Sequence, residues 1–182
     1  MLNITTISDV IYRDCRYNLI RIAEGYRATP YIDSQGNVTI GIGFNLHAAV
    51  IRNRLLSELG IQNGTQAFNN ITNILRNNYQ YSTEQERLTL QNNINQMLRV
   101  NGLVSLTDPQ IQNIFSDLIA GFETTVNSWM QKHAIPTIGN SRERAALVSL
   151  AYNSKVEENR QSPNYGYPTT LVRKGDVGSK TT

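Results

Sequence analysis

The chain has 182 residues, of which 40% are hydrophobic and 17% charged, and its formal net charge is +3. A chain of this size is long enough to bury a core, and its composition is typical of a soluble globular protein with one domain or two lobes that share a core. The surplus of positive charge is too small to indicate a nucleic-acid ligand, and we predict none. It is typical of an ordinary solvated surface, although it would also suit a polyanionic cell envelope.

Cysteine and histidine are too sparse to indicate a metal site. Cys15 is the only cysteine, so an intramolecular disulfide and a thiolate metal cluster are both excluded. His47 and His133 are far apart in the sequence and lack acidic or cysteine companions at ligand spacing. We therefore predict no metal and no cofactor, and we expect Cys15 to pack as a small apolar side chain.

Neither an export signal nor a membrane span is visible. Charged residues interrupt the N-terminal segment where a signal peptide needs an apolar core, and no apolar run is long enough to cross a bilayer. We expect synthesis in a cytoplasm, no stable membrane insertion, and release or delivery by other means if the protein works outside. The interrupting residues are Asp9, Arg13, Asp14 and Arg16.

The first predicted element is an amphipathic helix from Ser8 to Tyr26, because apolar residues recur there at spacings of three and four. Ser8 is placed to cap its N-terminus. Glu24 and Gly25 lie where the stripe ends, and Pro30 then favours extended backbone. The stripe that we expect to be buried comprises Ile7, Ile11, Cys15, Leu19, Ile22 and Tyr26.

Residues 31–43 alternate as strands do, and the turn-forming sequence SQGN at 34–37 divides them. This pattern predicts a small antiparallel β-hairpin. Gly41 and Gly43 leave one sheet face without side chains, which indicates a bulge or the close approach of a backbone or ligand.

The remaining chain reads as helical. A helix over 47–59 closes at Gly60, and the polar insert at 62–101, rich in Asn and Gln, should form two helices that divide near Tyr81 and Ser82. Ser82 and Gln85 suggest a capping box for the second of these. Core helices are predicted over about 107–131, starting at Thr107, Asp108 and Pro109, and over 141–153, capped by Ser141 and buried all round, with a short helix at TTLVRK beyond them.

The stretch from residue 24 to residue 44 resembles the phage-type lysozymes, glycoside hydrolase family 24. That family has a glutamate at the end of its first helix, a Tyr-x-Asp at the hairpin and a Thr-x-Gly-x-Gly on the next strand, and this chain matches in type, order and spacing. Further along, LTDPQIQNIFSDLIAGFETTVNSW, AALVSLAYN and TTLVRKGD resemble helical segments of phage endolysins. The matching positions are Glu24, Tyr31, Asp33, Thr39, Gly41 and Gly43.

The resemblance implies one lysozyme-like α+β domain, mostly helical. Its N-terminal lobe would span 1–60, its helical lobe 61–182, and the active-site cleft would lie between them. Phe44 departs from the family pattern, since members commonly carry histidine there. Relatives also usually continue through further helices, so we expect the insert at 62–101, another chain or a longer form of the protein to complete the helical lobe.

Glycoside hydrolysis needs an acid that protonates the leaving oxygen and a second carboxylate that activates water or attacks the sugar. Glu24, at a helix C-terminus beside apolar neighbours, should have a raised pKa and act as the acid. Asp33 should stay ionised as base or electrostatic stabiliser, and Thr39 should hold a water beside it. The resemblance, rather than the spacing, implies inversion, with carboxyl groups roughly 6.5–9.5 Å apart.

Tyr31, Phe44 and Asn153 are candidate substrate contacts, since aromatic faces and amide groups suit sugar rings and acetamido groups. Core packing is the alternative for both aromatic residues. Singly, Glu24 would read as a surface carboxylate and Asp33 as a turn residue, and only the joint pattern favours catalysis. Thr39 would read as a strand former.

These residues predict a peptidoglycan hydrolase, a muramidase that cleaves the β-1,4 bond between N-acetylmuramic acid and N-acetylglucosamine. A lytic transglycosylase is the nearest enzymatic alternative, and Asp33 and Thr39 argue against it. The alternative from another class is a lysozyme-like module that binds the cell wall or a partner without turnover. We expect a monomer, or a domain of a larger protein or particle, that acts on peptidoglycan as an endolysin, a particle-borne lysin or a delivered toxin does.

Overall fold

A computed structural model of the protein describes residues 4–153, so the helix predicted at TTLVRK lies outside the described residues. Within that range the fold is α+β, as predicted, with six helices and one antiparallel sheet of three strands. None of the described helices is both long enough and apolar enough to span a membrane. The elements are α1 (Asp9–Glu24), β1 (Arg27–Ile32), β2 (Val38–Gly41), β3 (Phe44–Asn45), α2 (Ala49–Glu58), α3 (Gln66–Leu75), α4 (Glu84–Val100), α5 (Asp108–Lys132) and α6 (Arg142–Asn153).

The long helix α5 lies at the centre of the helical part, as its apolar stripe predicts. It begins with the expected cap, in which the Thr107 hydroxyl accepts from the Gln110 backbone N–H and the Gln110 side chain bonds back to Thr107. Helix α6 packs against both α5 and α1, and α2 packs against α5. The buried residues of α5 are Ile111, Ile114, Phe115, Leu118, Ile119, Val126 and Met130.

Helix α1 forms where predicted, and Ser8 caps it by accepting from the Ile11 backbone N–H at 3.4 Å. The predicted buried stripe is wrong, however, because the helix is rotated so that Ile22 is 82% exposed and Ile11 and Leu19 are also exposed. The reason is tertiary. The polar ends of two residues on the opposite face bind Glu123 of α5, so their apolar parts can pack inward. The buried face consists of Tyr12, Arg16, Tyr17 and Ile20.

The predicted hairpin is present, with β2 between β1 and β3. Tyr31 lies opposite Thr39, and the Asp33 backbone N–H closes the loop on the Asn37 carbonyl oxygen at 2.9 Å. Strand β3 is only two residues long and was not predicted. It follows a turn at residues 42–43, and the glycines on either side of Ile42 have positive φ angles of 70° and 85°, which glycine adopts at little cost.

The insert at 62–101 forms the two predicted helices, α3 and α4, and α4 packs against β1. Its capping box lies one residue later than predicted. Thr83 accepts from the Glu86 backbone N–H at 3.2 Å, and the Glu86 carboxylate accepts from the N–H groups of Thr83 and Ser82. Both N–H groups reach the same Glu86 oxygen, Oε2, so this one side chain satisfies two donors at the start of α4.

The cap predicted for α6 is confirmed, since the Ser141 hydroxyl accepts from the Arg144 backbone N–H at 3.1 Å. The expectation that this helix is buried all round is wrong, because Leu150 is 61% exposed. Only the faces of α6 that meet α1 and α5 are covered within residues 4–153, so the apolar pattern overstates the burial of this helix.

Candidate functional site

Glu24 is the last residue of α1, and its side chain is exposed. Its carboxylate lies against the turn between β2 and β3. The Oε2 atom is only 3.1 Å from the position that a Cβ atom would occupy on Gly43. Because glycine has no Cβ, the carboxylate can rest against the backbone there. The sequence predicts the close approach of a backbone or ligand at this glycine, whereas the group that approaches it is an acidic side chain.

Asp33 follows β1, and hydrogen bonds fix its carboxylate in one orientation. Oδ1 accepts from the backbone N–H groups of Gln35 at 2.8 Å and Asn37 at 2.9 Å. Oδ2 accepts from the Thr39 hydroxyl at 3.2 Å and the Asn37 side-chain amide at 3.3 Å. The loop that turns the hairpin therefore also supplies the donors that hold this side chain.

Thr39 lies on β2, opposite Tyr31 of β1 and Asn45 of β3, and is 3% exposed. Its hydroxyl is the part that reaches Asp33, whereas its neighbours Val38 and Ile40 are buried in the core. The structure thus brings together the aspartate and threonine that the sequence pattern pairs. The hydroxyl donates its hydrogen bond to the carboxylate and keeps lone pairs that can accept from a water.

The charges of both carboxylates act on the Tyr31 hydroxyl. Burial raises the pKa of the Tyr31 hydroxyl; Arg27 opposes that rise, and the charges of Asp33 and Glu24 add to it. The Arg27 guanidinium also stands over the Tyr31 ring, with Cζ 4.6 Å from the ring centroid. Glu24 and Asp33 are thus both near enough for their charges to act on Tyr31, which stays a candidate substrate contact.

Tyr152 reaches the same turn as Glu24, although it is not among the candidate site residues predicted from the sequence. Its hydroxyl donates to the Ile42 carbonyl oxygen at 3.0 Å, on the same peptide group as the Gly43 nitrogen. Burial raises the pKa of Tyr152 above its ordinary value, with further contributions from Glu24 and Tyr31. Its ring contacts Phe122, with centroids 5.0 Å apart. The available signal was a hydroxyl near the end of an otherwise apolar helix, where a buried O–H needs a partner.

The other two predicted substrate contacts, Phe44 and Asn153, differ in their surroundings. Phe44 is 1% exposed and belongs to the hydrophobic core, so the expectation that it meets a sugar is wrong, and the alternative of core packing describes it. The Phe44 ring packs directly against the backbone of Gly41. A Cβ atom on Gly41 would lie only 2.8 Å from the Phe44 Cδ2 atom, so the ring fits there because Gly41 has no side chain. Asn153 ends α6 beside Tyr152, and its amide nitrogen donates to the Ser149 carbonyl oxygen at 2.7 Å. A role for Asn153 in substrate binding stays a prediction.

The described residues offer acid–base groups rather than ligands for a metal. Residues 4–153 contain no group of three His, Cys, Asp or Glu side chains that could hold a metal ion. What they do contain is one carboxylate against a glycine turn and a second carboxylate bonded to a hydroxyl. Comparison with models of protein families, with curated proteins and with solved structures found no match to this chain.

Proposed function

We propose that the protein is a muramidase with a lysozyme-like fold, which cleaves the β-1,4 bond between N-acetylmuramic acid and N-acetylglucosamine in peptidoglycan. The observation that carries the proposal is the pairing of the Asp33 carboxylate with the Thr39 hydroxyl at 3.2 Å, on the same hairpin whose Gly43 receives the Glu24 carboxylate. A structural turn needs the aspartate but has no use for the other two groups. The glycan strand would run in a cleft between the hairpin and the helices.

In this mechanism Glu24 is the general acid, which gives its proton to the oxygen of the leaving sugar. Asp33 is the base. A water held by the Asp33 carboxylate and the Thr39 lone pairs attacks the anomeric carbon from the opposite face, and the configuration inverts. Tyr31 and Asn153 contact the sugars, and no cofactor takes part. The enzyme acts on the cell wall after release or delivery, as an endolysin, a particle-borne lysin or a delivered toxin.

The test uses purified peptidoglycan, with the reducing-end mass and the anomeric configuration of the released fragments as readouts. Glu24→Gln keeps the shape of the side chain and removes its acid function, so we expect product release to fall by about 10²- to 10⁴-fold. Asp14→Asn is a suitable control, because it neutralises an exposed carboxylate on the same helix and should leave the rate unchanged.

Other outcomes would contradict the proposal or indicate a different activity. Equal product release by wild type and Glu24→Gln would contradict the proposal. Fragments that end in 1,6-anhydro sugars would indicate a lytic transglycosylase. Saccharide binding without any product would indicate a module that binds the cell wall without turnover.

A further inference from the structure

The insert at 62–101 is hydrogen-bonded to the backbone of the hairpin loop that carries Asp33. The Tyr81 hydroxyl donates to the Asp33 carbonyl oxygen at 2.9 Å, and the Tyr79 backbone N–H donates to the Gly36 carbonyl oxygen at 2.8 Å. The Asn78 side-chain amide donates to the Gln35 carbonyl oxygen at 2.5 Å. Three backbone carbonyls of one loop are thus held by three residues within positions 78–81 of the insert.

The contact continues along helix α4 to the end of β1. The Arg87 guanidinium donates to the Ile32 carbonyl oxygen at 3.0 Å, and the Ile32 backbone N–H donates to the Gln91 side-chain oxygen at 3.3 Å. Residue 32, which directly precedes Asp33, therefore has both of its backbone groups paired with the insert. Backbone groups at the edge of a small sheet would otherwise bond to water and leave the strand free to shift.

The fit between the loop and the insert is also tight in space. A Cβ on Gly36 would lie 2.1 Å from the Tyr79 carbonyl oxygen, so only glycine allows the two backbones to approach this closely. The loop and the insert also form an isolated antiparallel β-bridge between Asn37 and Asn78. Asn37 in turn donates from its backbone N–H to Asp33 Oδ1, which links the bridge to the carboxylate.

We propose that the insert positions the Asp33 carboxylate for catalysis, and that Tyr81 is its principal positioning residue. The inference rests on the proposed function, in which Asp33 is the base. Tyr81 bonds the carbonyl of Asp33 itself, whereas its partners on the insert bond the neighbouring residues. A base must be held to within about 0.5 Å of its productive position, and a displacement of about 1 Å costs on the order of 10²-fold in rate.

Two tyrosines of the insert provide a matched test. Tyr81→Phe removes the hydroxyl that reaches Asp33, and Tyr79→Phe removes a hydroxyl that donates to the Ile74 carbonyl oxygen within the insert at 2.8 Å. Both variants lose one hydrogen bond of the same type, so their melting temperatures should fall by similar amounts. We expect kcat on purified peptidoglycan to fall about 10-fold in Tyr81→Phe only, with KM within about twofold of wild type.

Amide hydrogen exchange supplies a readout that does not depend on activity. The N–H groups of Gln35 and Asn37 donate to Asp33 Oδ1, so they should exchange faster in Tyr81→Phe than in Tyr79→Phe. Equal exchange in the two variants, or an unchanged kcat in Tyr81→Phe, would overturn the positioning role. A wild type that releases no product would instead overturn the proposed function, and the catalytic part of this inference with it, while the exchange experiment would still decide whether the insert holds the loop.

Discussion

At the residue scale, the hydroxyl of Thr39 has two separable roles. It donates to Asp33 Oδ2, which orients the carboxylate, and it retains lone pairs for the attacking water. A methyl group at the same place would do neither. Because the side chain is almost completely buried, its shape also matters to the packing of the hairpin, so the test must remove the hydroxyl and keep the volume.

Thr39→Val meets that condition, and we expect it to lower kcat on purified peptidoglycan by about 10- to 100-fold, less than the loss of an acid or base itself. Thr39→Ser, which restores a hydroxyl, should recover most of the loss. The free energy of unfolding, measured in urea, should change by about 1 kcal/mol in Thr39→Val. A kcat of Thr39→Val that equals the wild-type value would contradict the role of the hydroxyl.

Single residues also show where a sequence pattern loses information. Phe44 and Tyr152 are both aromatic, and of these two only Phe44 is predicted from the sequence as a candidate contact, because an aromatic face suits a sugar ring. In the structure Phe44 fills the core under Gly41, while Tyr152 brings its hydroxyl to Ile42 from 110 residues away. The sequence does not record this difference, because it arises from the path of the chain, which brings α6 to the turn and directs Phe44 into the core.

At the element scale, the rotation of α1 about its own axis is the main difference from the predicted structure. The apolar spacing is real, yet the face that it defines points outward within the described residues. The hydrophobic pattern counts Tyr12 and Arg16 as polar. Both side chains are nevertheless buried, because Glu123 pairs the hydroxyl and the guanidinium, and the Arg16 Cζ atom lies 5.8 Å from the centroid of the Phe115 ring of α5.

Two isoleucines of α1 test this rotation, since both change to alanine with the same gain in helix propensity. Ile20 has no exposed surface, so Ile20→Ala should lower the free energy of unfolding by about 2–5 kcal/mol. Ile22 is 82% exposed, and Ile22→Ala should stay within about 0.5 kcal/mol of wild type. Urea unfolding of the two variants measures both values. A larger loss for Ile22→Ala would mean that the predicted stripe is the buried one.

At the scale of the whole molecule, a cluster of charges joins the three packed helices. The Glu123 carboxylate of α5 accepts from Tyr12 and from the Arg16 guanidinium of α1 at 2.6 Å. It also accepts two bonds from the Arg144 guanidinium of α6, at 3.0 and 2.6 Å. Burial raises the pKa of Glu123, but the hydrogen bonds from Tyr12, Arg16 and Arg144 outweigh it, so the pKa lies below its ordinary value of 4.5.

A lowered carboxyl pKa determines the direction of the pH dependence. The folded protein binds the Glu123 proton less readily than the unfolded chain does, so this group stabilises the fold above about pH 4.5 and ceases to do so as the pH falls through the lowered value. Glu123→Gln leaves two buried guanidinium groups without their carboxylate. We expect it to lower the free energy of unfolding at pH 7 by about 3–5 kcal/mol and to flatten its decline below pH 4.5.

Urea titrations between pH 3 and pH 7 measure this effect, and Glu143→Gln is the matched control, because Glu143 is an exposed carboxylate on α6. The control should follow the wild-type curve. If Glu123→Gln and Glu143→Gln gave the same pH dependence, the cluster would contribute nothing to the acid stability of the fold.

The sequence by itself determined the features that depend on neighbours within a few residues. The caps at Ser8, Thr107 and Ser141 and the hairpin turn are such features, since a cap or turn is a hydrogen bond between residues at most four apart. The order and spacing of Glu24, Asp33 and Thr39 are of the same kind. Only the tertiary structure decided which face of α1 is buried, which aromatic ring reaches the site and what holds the loop of Asp33. Each of those depends on a partner many residues away, whose distance in space no local pattern records.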